Sequence, residues 1–72
     1  MEYIIVKFGG EDRGVVIDGI SQGRTEVVLE VERGSHEISL EEPPSDFKPL
    51  DEKVVVRDTT PLSPQEVSFE KI

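Results

Sequence analysis

The chain is expected to fold as a small all-β domain, a six-stranded β-sandwich or partly closed barrel. Three features predict this. Short β-rich runs recur along its 72 residues, glycine and proline turns separate them, and no helix longer than one turn can be placed. A single domain over residues 1–72 accounts for the length, which is near the lower limit for a core that holds itself together unaided.

Residues 3–8 read as the first strand, with Ile4, Val6 and Phe8 on one face. Residues 9–14 form a polar, glycine-rich turn. Residues 15–17 make a short second strand, stopped by Asp18-Gly19, a turn pair whose glycine tolerates positive φ. Residues 20–24 are expected to be a loop. The strongest expectation concerns residues 25–32 and 35–41, two strands folded into a hairpin about Arg33-Gly34. Val31 then faces His36, Leu29 faces Ile38 and Val27 faces Leu40, so apolar sides coincide and a one-residue slip would mix the faces.

Residues 41–51 contain three prolines, which rule out a central strand or helix interior there. This stretch is expected to cross from one sheet to the other. Residues 53–57 read as a strand whose valines, Val54 to Val56, are buried on both faces. A proline-containing loop over residues 58–64 leads to a last strand, residues 66–72, with Val67 and Phe69 inward. The predicted core is Ile4, Val6, Phe8, Val16, Val27, Leu29, Val31, Ile38, Leu40, Val55, Val67 and Phe69.

The composition excludes several function classes. There is no cysteine, hence no disulfide framework and no thiolate metal site. The single histidine leaves any metal to oxygen ligands. Sixteen acidic against eight basic residues give a net charge of −8, which repels nucleic acid and anionic membrane surfaces. No apolar run approaches the roughly 20 residues that span a bilayer, so no membrane insertion is expected. The first residues lack the basic and apolar regions of a signal peptide. The expected location is the cytoplasm, the alternative being a fragment of an envelope or surface protein.

The turns and strands together resemble the PEGA family of small prokaryotic β-sandwich modules. Val15-Val16-Ile17-Asp18-Gly19 matches its valine-rich strand and Asp-Gly turn, and Gly23-Arg24-Thr25 its Gly-x-Thr. Val27, Leu29 and Val31, then Gly34, His36, Ile38 and Leu40, follow its alternating aliphatics and Gly-x-His. Phe47 sits at its later aromatic position. Three departures stand out: Glu26 replaces a proline, Asp46 replaces a glycine, and the Pro-Glu-Gly-Ala string is absent. The resemblance implies a Greek-key-like, prealbumin-like sandwich that is non-catalytic and acts as a spacer or protein-interaction module. It supplies no catalytic or cofactor residues.

The residues themselves offer little chemistry. Ser35 and His36 are neighbours on a strand and point to opposite faces, so they cannot share a proton. The glycine-rich turn at residues 9–14 lacks a Lys-Ser/Thr ending and a following helix, and its carboxylates would repel phosphate. The acidic pairs Glu11-Asp12, Glu41-Glu42 and Asp51-Glu52 fall in turns rather than across a cleft. A weak calcium site from Glu41, Glu42 and Asp46 is the only metal candidate. Tyr3 and Phe47 are the only aromatics available to stack on an envelope glycan. No enzyme activity and no cofactor are expected.

The expected function is a non-catalytic structural or protein-interaction module, monomeric or weakly dimeric. Pairing would use a sheet edge, residues 3–8 or 66–72; the alternative is a protected edge, with Lys7 and Lys71 as the charges that prevent pairing. The alternatives are a calcium- or glycan-binding module, or an accessory domain regulating a larger enzyme or signalling assembly.

Overall fold

The computed structural model describes residues 1–72. The fold is all-β, with nine short strands, and no helix is long and apolar enough to cross a membrane. One sheet holds β4 (Val28–Val31), β1 (Glu2–Lys7) and β8 (Gln65–Ser68) in that order. Within it β1 is antiparallel to β4 and parallel to β8. The other main sheet is antiparallel and runs β3 (Ile20–Arg24), β2 (Gly14–Ile17), β5 (Gly34–Leu40), β7 (Glu52–Val56). A minimal third sheet pairs β6 (Phe47–Lys48) with β9 (Glu70–Lys71).

The two main sheets share one core. Ile4, Val6 and Val67 of the first join Val15, Ile17, Ile38, Leu40 and Val56 of the second in a single buried cluster. Period-two alternation explains each contribution, because β1, β2 and β5 turn every second side chain inward. Phe47 completes the cluster, edge-on to Phe8 at 6.3 Å and to Phe69 at 5.9 Å.

The expected hairpin about Arg33-Gly34 does not form. β4 pairs with β1, placing Glu2 opposite Val31 and Ile4 opposite Leu29, whereas β5 lies between β2 and β7. Arg33-Gly34 instead carries the chain from one sheet to the other, with Gly34 at φ 127°, where a side chain would be strained. The alternation in both strands is genuine, but it reports only that each has an inward face. Strands that meet across a core carry the same pattern as strands side by side.

Other expectations shift by one residue or one role. In β2 the buried residues are Val15 and Ile17, opposite Leu40 and Ile38, rather than Val16. Val27 is 50% exposed, because it precedes β4 and follows Glu26, whose φ of 67° turns the chain. Leu29 is half-buried against the core. Val55 is 58% exposed, since β7 ends its sheet and shows one face to solvent. Residues 20–24 form strand β3 rather than a loop; all are exposed, so pairing with β2 alone defines it. Residues 41–51 do not cross between sheets, because the strands they join, β5 and β7, are neighbours. The detour through β6 delivers Phe47 to the core. The last stretch divides into β8 and β9, so nine strands replace the expected six.

Gly23 offers a direct test of the packing between β3 and β4. Its φ is 81°, and a Cβ there would lie 2.5 Å from Leu29 Cδ2. Gly23→Ala is expected to cost about 1–3 kcal/mol through strain and contact together. Gly9→Ala carries strain alone, since nothing lies within 4 Å of its Cβ position. Urea midpoints that fall equally for both variants would remove Leu29 from the explanation.

Candidate functional site

The calcium candidates are each engaged elsewhere. Asp46 holds Arg13 through both oxygens, at 3.0 and 3.2 Å, and receives Lys71 at 3.3 Å. The Arg13 guanidinium, joined by Lys71, keeps the Asp46 carboxyl below the ordinary carboxylate range. Glu41 accepts a hydrogen bond from Ser21, and Glu42 accepts one from Ser45. No three His, Asp or Glu side chains come together as a group able to hold a metal ion. Arg13 also lies 5.2 Å above the Phe8 ring, so this network ties residues 8–13 to the loop before β6.

The aromatic candidates present no platform. Phe47 is buried, and Tyr3 is half-buried in β1, the central strand of its sheet. The Phe47 ring is therefore not free to stack on a sugar, and Tyr3 is a single, partly exposed ring on the face of β1 opposite the core.

The glycine-rich turn is filled by the chain itself. Glu26 accepts hydrogen bonds from the Phe8 and Gly10 amides, at 2.6 and 3.2 Å, and pairs with Lys7 at 2.9 Å. The buried Thr25 hydroxyl donates to the Glu11 carbonyl and accepts from the Arg13 amide. The amides that an anion would need are thus already satisfied by a carboxylate. Sequence reasoning missed the role of Thr25 and Glu26, because their partners lie 12 to 18 residues away.

His36 is bound at both ring nitrogens. Nδ1 lies 2.7 Å from Asp18 and Nε2 lies 2.6 Å from the Glu32 carbonyl. Both partners can only accept, so the arrangement calls for two N–H donors, which is the imidazolium. The pKa is accordingly raised, chiefly by the Asp18 hydrogen bond and then by the Glu32 carbonyl. A histidine held this way has no free nitrogen to take a proton from a nucleophile, although Asp18 orients it as a catalytic partner would.

The sign of the pH effect follows directly. Because protonated His36 is favoured by the fold, its stabilisation is complete below about pH 6.5, the ordinary histidine value. It is lost as pH rises through the raised folded value. The thermal midpoint should therefore decline on the alkaline side of 6.5, and His36→Gln should flatten that slope. An unchanged slope in the variant would refute the assignment.

Of the two expected edges one holds in part: β8, which covers Glu66 to Ser68, lies at the end of its sheet. Residues 3–8 form the central strand of their sheet, not an edge. Lys7 is paired with Glu26 and Lys71 with Glu11 at 2.8 Å, so neither stands guard over an open ladder. The edge that matters is β7. Asp18 donates its amide to the Glu37 carbonyl, which aims Glu37, and by alternation Ser35 and Ser39, toward β2. Gly34, His36 and Ile38 therefore face β7, where their partners are Val56, Val54 and Glu52. That leaves the amides and carbonyls of Lys53 and Val55 pointing away from the sheet. They take part in no hydrogen bond outside the ladder.

Around this edge, Ser35, His36, Glu37, Lys53, Val54 and Val55 line an open concavity of ≈ 400 Å³. Val54 rests half-buried on the core, Val55 faces solvent, and Lys53 stands opposite Glu37 on β5. Compared with known proteins, the chain matches no family model, no curated protein and no solved structure.

Proposed function

We propose that this chain is a non-catalytic, PEGA-like module that binds another protein by adding a strand to β7. The observation that carries this reading is the bare ladder at Lys53 and Val55, beside an exposed valine and with no proline in the strand. Natural edges are usually blunted by lysine, proline, bulges or covering loops. β7 carries Lys53 but no proline and no register shift against β5, while β3 is distorted by a register shift in its pairing with β2 and β8 begins directly after Pro64. Main-chain pairing would give affinity, and the Val54–Val55 surface would give side-chain contact.

A synthetic peptide of residues 50–58 tests whether the edge accepts a strand. Titrated into the labelled protein, it should slow amide exchange at Lys53 and Val55 and shift their resonances. Val55→Pro removes one outward amide without touching the β5 ladder, and should abolish both effects. Binding that survives this variant, or shifts located elsewhere, would overturn the reading.

A further inference from the structure

We propose that the strand received by β7 is β7 of a second copy, paired antiparallel about a two-fold axis through Val54. This rests on the strand-addition reading above and specifies its occupant.

The register follows from geometry and charge. A two-fold axis perpendicular to the sheet makes the pairing antiparallel and isologous. Directly opposed residues must then both point their amides outward or both point them inward. Since Lys53 and Val55 point outward while Glu52, Val54 and Val56 point inward, only registers centred on a residue are possible. Centring on Lys53 sets the two lysines against each other. Centring on Val55 sets Lys53 against Arg57 twice. Centring on Glu52 sets Asp51 against Lys53 twice, but it opposes two glutamates and brings Pro49, which has no amide to donate, against Val55.

Centring on Val54 opposes Asp51 to Arg57 at both ends and Lys53 to Val55 between them. Asp51 and Arg57 are both exposed, and neither takes part in an ion pair or side-chain hydrogen bond within its own chain (all such contacts lie elsewhere). Charge complementarity between copies, together with the amide that Pro49 lacks, therefore favours this register.

The same register improves packing. Val54 meets its own counterpart as a non-hydrogen-bonded pair, the closer of the two antiparallel kinds, on the face that Val56 already buries. Lys53 and Val55 exchange their free amides and carbonyls across the axis. Lys53 lies opposite Glu37 within its own sheet.

The edge at β4 does not allow this. For β4, registers centred on Val28, Leu29 or Glu30 oppose glutamates among Glu26, Glu30 and Glu32, so that edge repels itself. A strand pair of this length falls short of the area of a standard stable interface, and each copy carries −8. The dimer is accordingly weak, forming on the order of 0.1–1 mM.

Sedimentation equilibrium and concentration-dependent amide spectra of the whole chain test this. Wild type should self-associate, with shifts centred on Lys53 to Val55. Asp51→Arg and Arg57→Asp, each alone, place like charges at both ends and should weaken association at least tenfold. An equimolar mixture of the two variants should regain it, because the opposite charges then meet between unlike copies. Folding of each variant is checked by its thermal melt, and the mixture keeps the test independent of any small loss. A mixture that fails to associate, or single variants that dimerise like wild type, would overturn the register. A wild type that stays monomeric while the peptide of residues 50–58 still binds β7 would remove the second copy and leave strand addition standing. If the peptide also fails, both fall.

Discussion

Phe47→Ala is expected to remove a large fraction of the protein's folding free energy. Phe47 is 1% exposed and touches Phe8 and Phe69 edge-on. Truncating a buried phenylalanine costs about 3–5 kcal/mol, since the cavity adds to the lost transfer energy. A domain this size holds about 4–11 kcal/mol in total. The neighbours cannot collapse into the void easily, because Phe8 follows β1, Phe69 sits between β8 and β9, and β6 contributes only two residues. Urea unfolding followed by circular dichroism measures the effect. A loss below about 1 kcal/mol would show that the site relaxes or that Phe47 lies outside the core.

Ile38→Ala is the second large effect, about 2–5 kcal/mol. Ile38 is fully buried in β5, where it stands opposite Ile17 on one side and Glu52 on the other. Its loss strips apolar contact from the middle of the second sheet. Val55→Ala provides the contrast: with its side chain 58% exposed, it should change stability by no more than about 0.5 kcal/mol. A comparable loss at both positions would mean that β7 is buried on both faces.

That pair of variants also separates what was legible in the sequence from what was not. Ile4, Val6, Phe8, Ile38, Leu40, Val67 and Phe69 were readable as core because strict alternation leaves each one a single possible face. Val54 to Val56 were not, because an unbroken valine run has no alternation to read, and such runs commonly mark strands covered on both sides. Val15 and Val16 pose the same problem on a smaller scale. Phe47 was misplaced for a different reason. The surrounding prolines identify a loop correctly, but nothing local tells a loop residue that faces solvent from one that plugs a core.

The absence of a hairpin about Arg33-Gly34 has a physical origin as well. Matching parity between two neighbouring strands fixes which residues face inward, and sheet membership depends on where β1 and β2 come to lie. Those strands are distant in sequence from the turn at Arg33-Gly34. The candidate site shares this dependence. The strand at residues 52–56 was visible, with an acid on one side and an arginine on the other, but that it ends a sheet is a property of strand order. That Asp51 and Arg57 lack partners is likewise visible only once every other charge has been placed.

The parallel pair between β1 and β8 governs how the molecule can be made. Ile4 takes its place beside Gln65, so β1 leaves the ribosome long before the strand that completes its sheet. Pairing across about sixty residues of intervening chain is the slow kind of contact, paid for in loop closure before it yields any stability. Until β8 emerges, the inner strand of the first sheet has one flank open to whatever lies nearby. Of the 16 acidic residues, 14 precede β8 in the sequence. Chains that carry such an excess of negative charge repel one another while that flank is open.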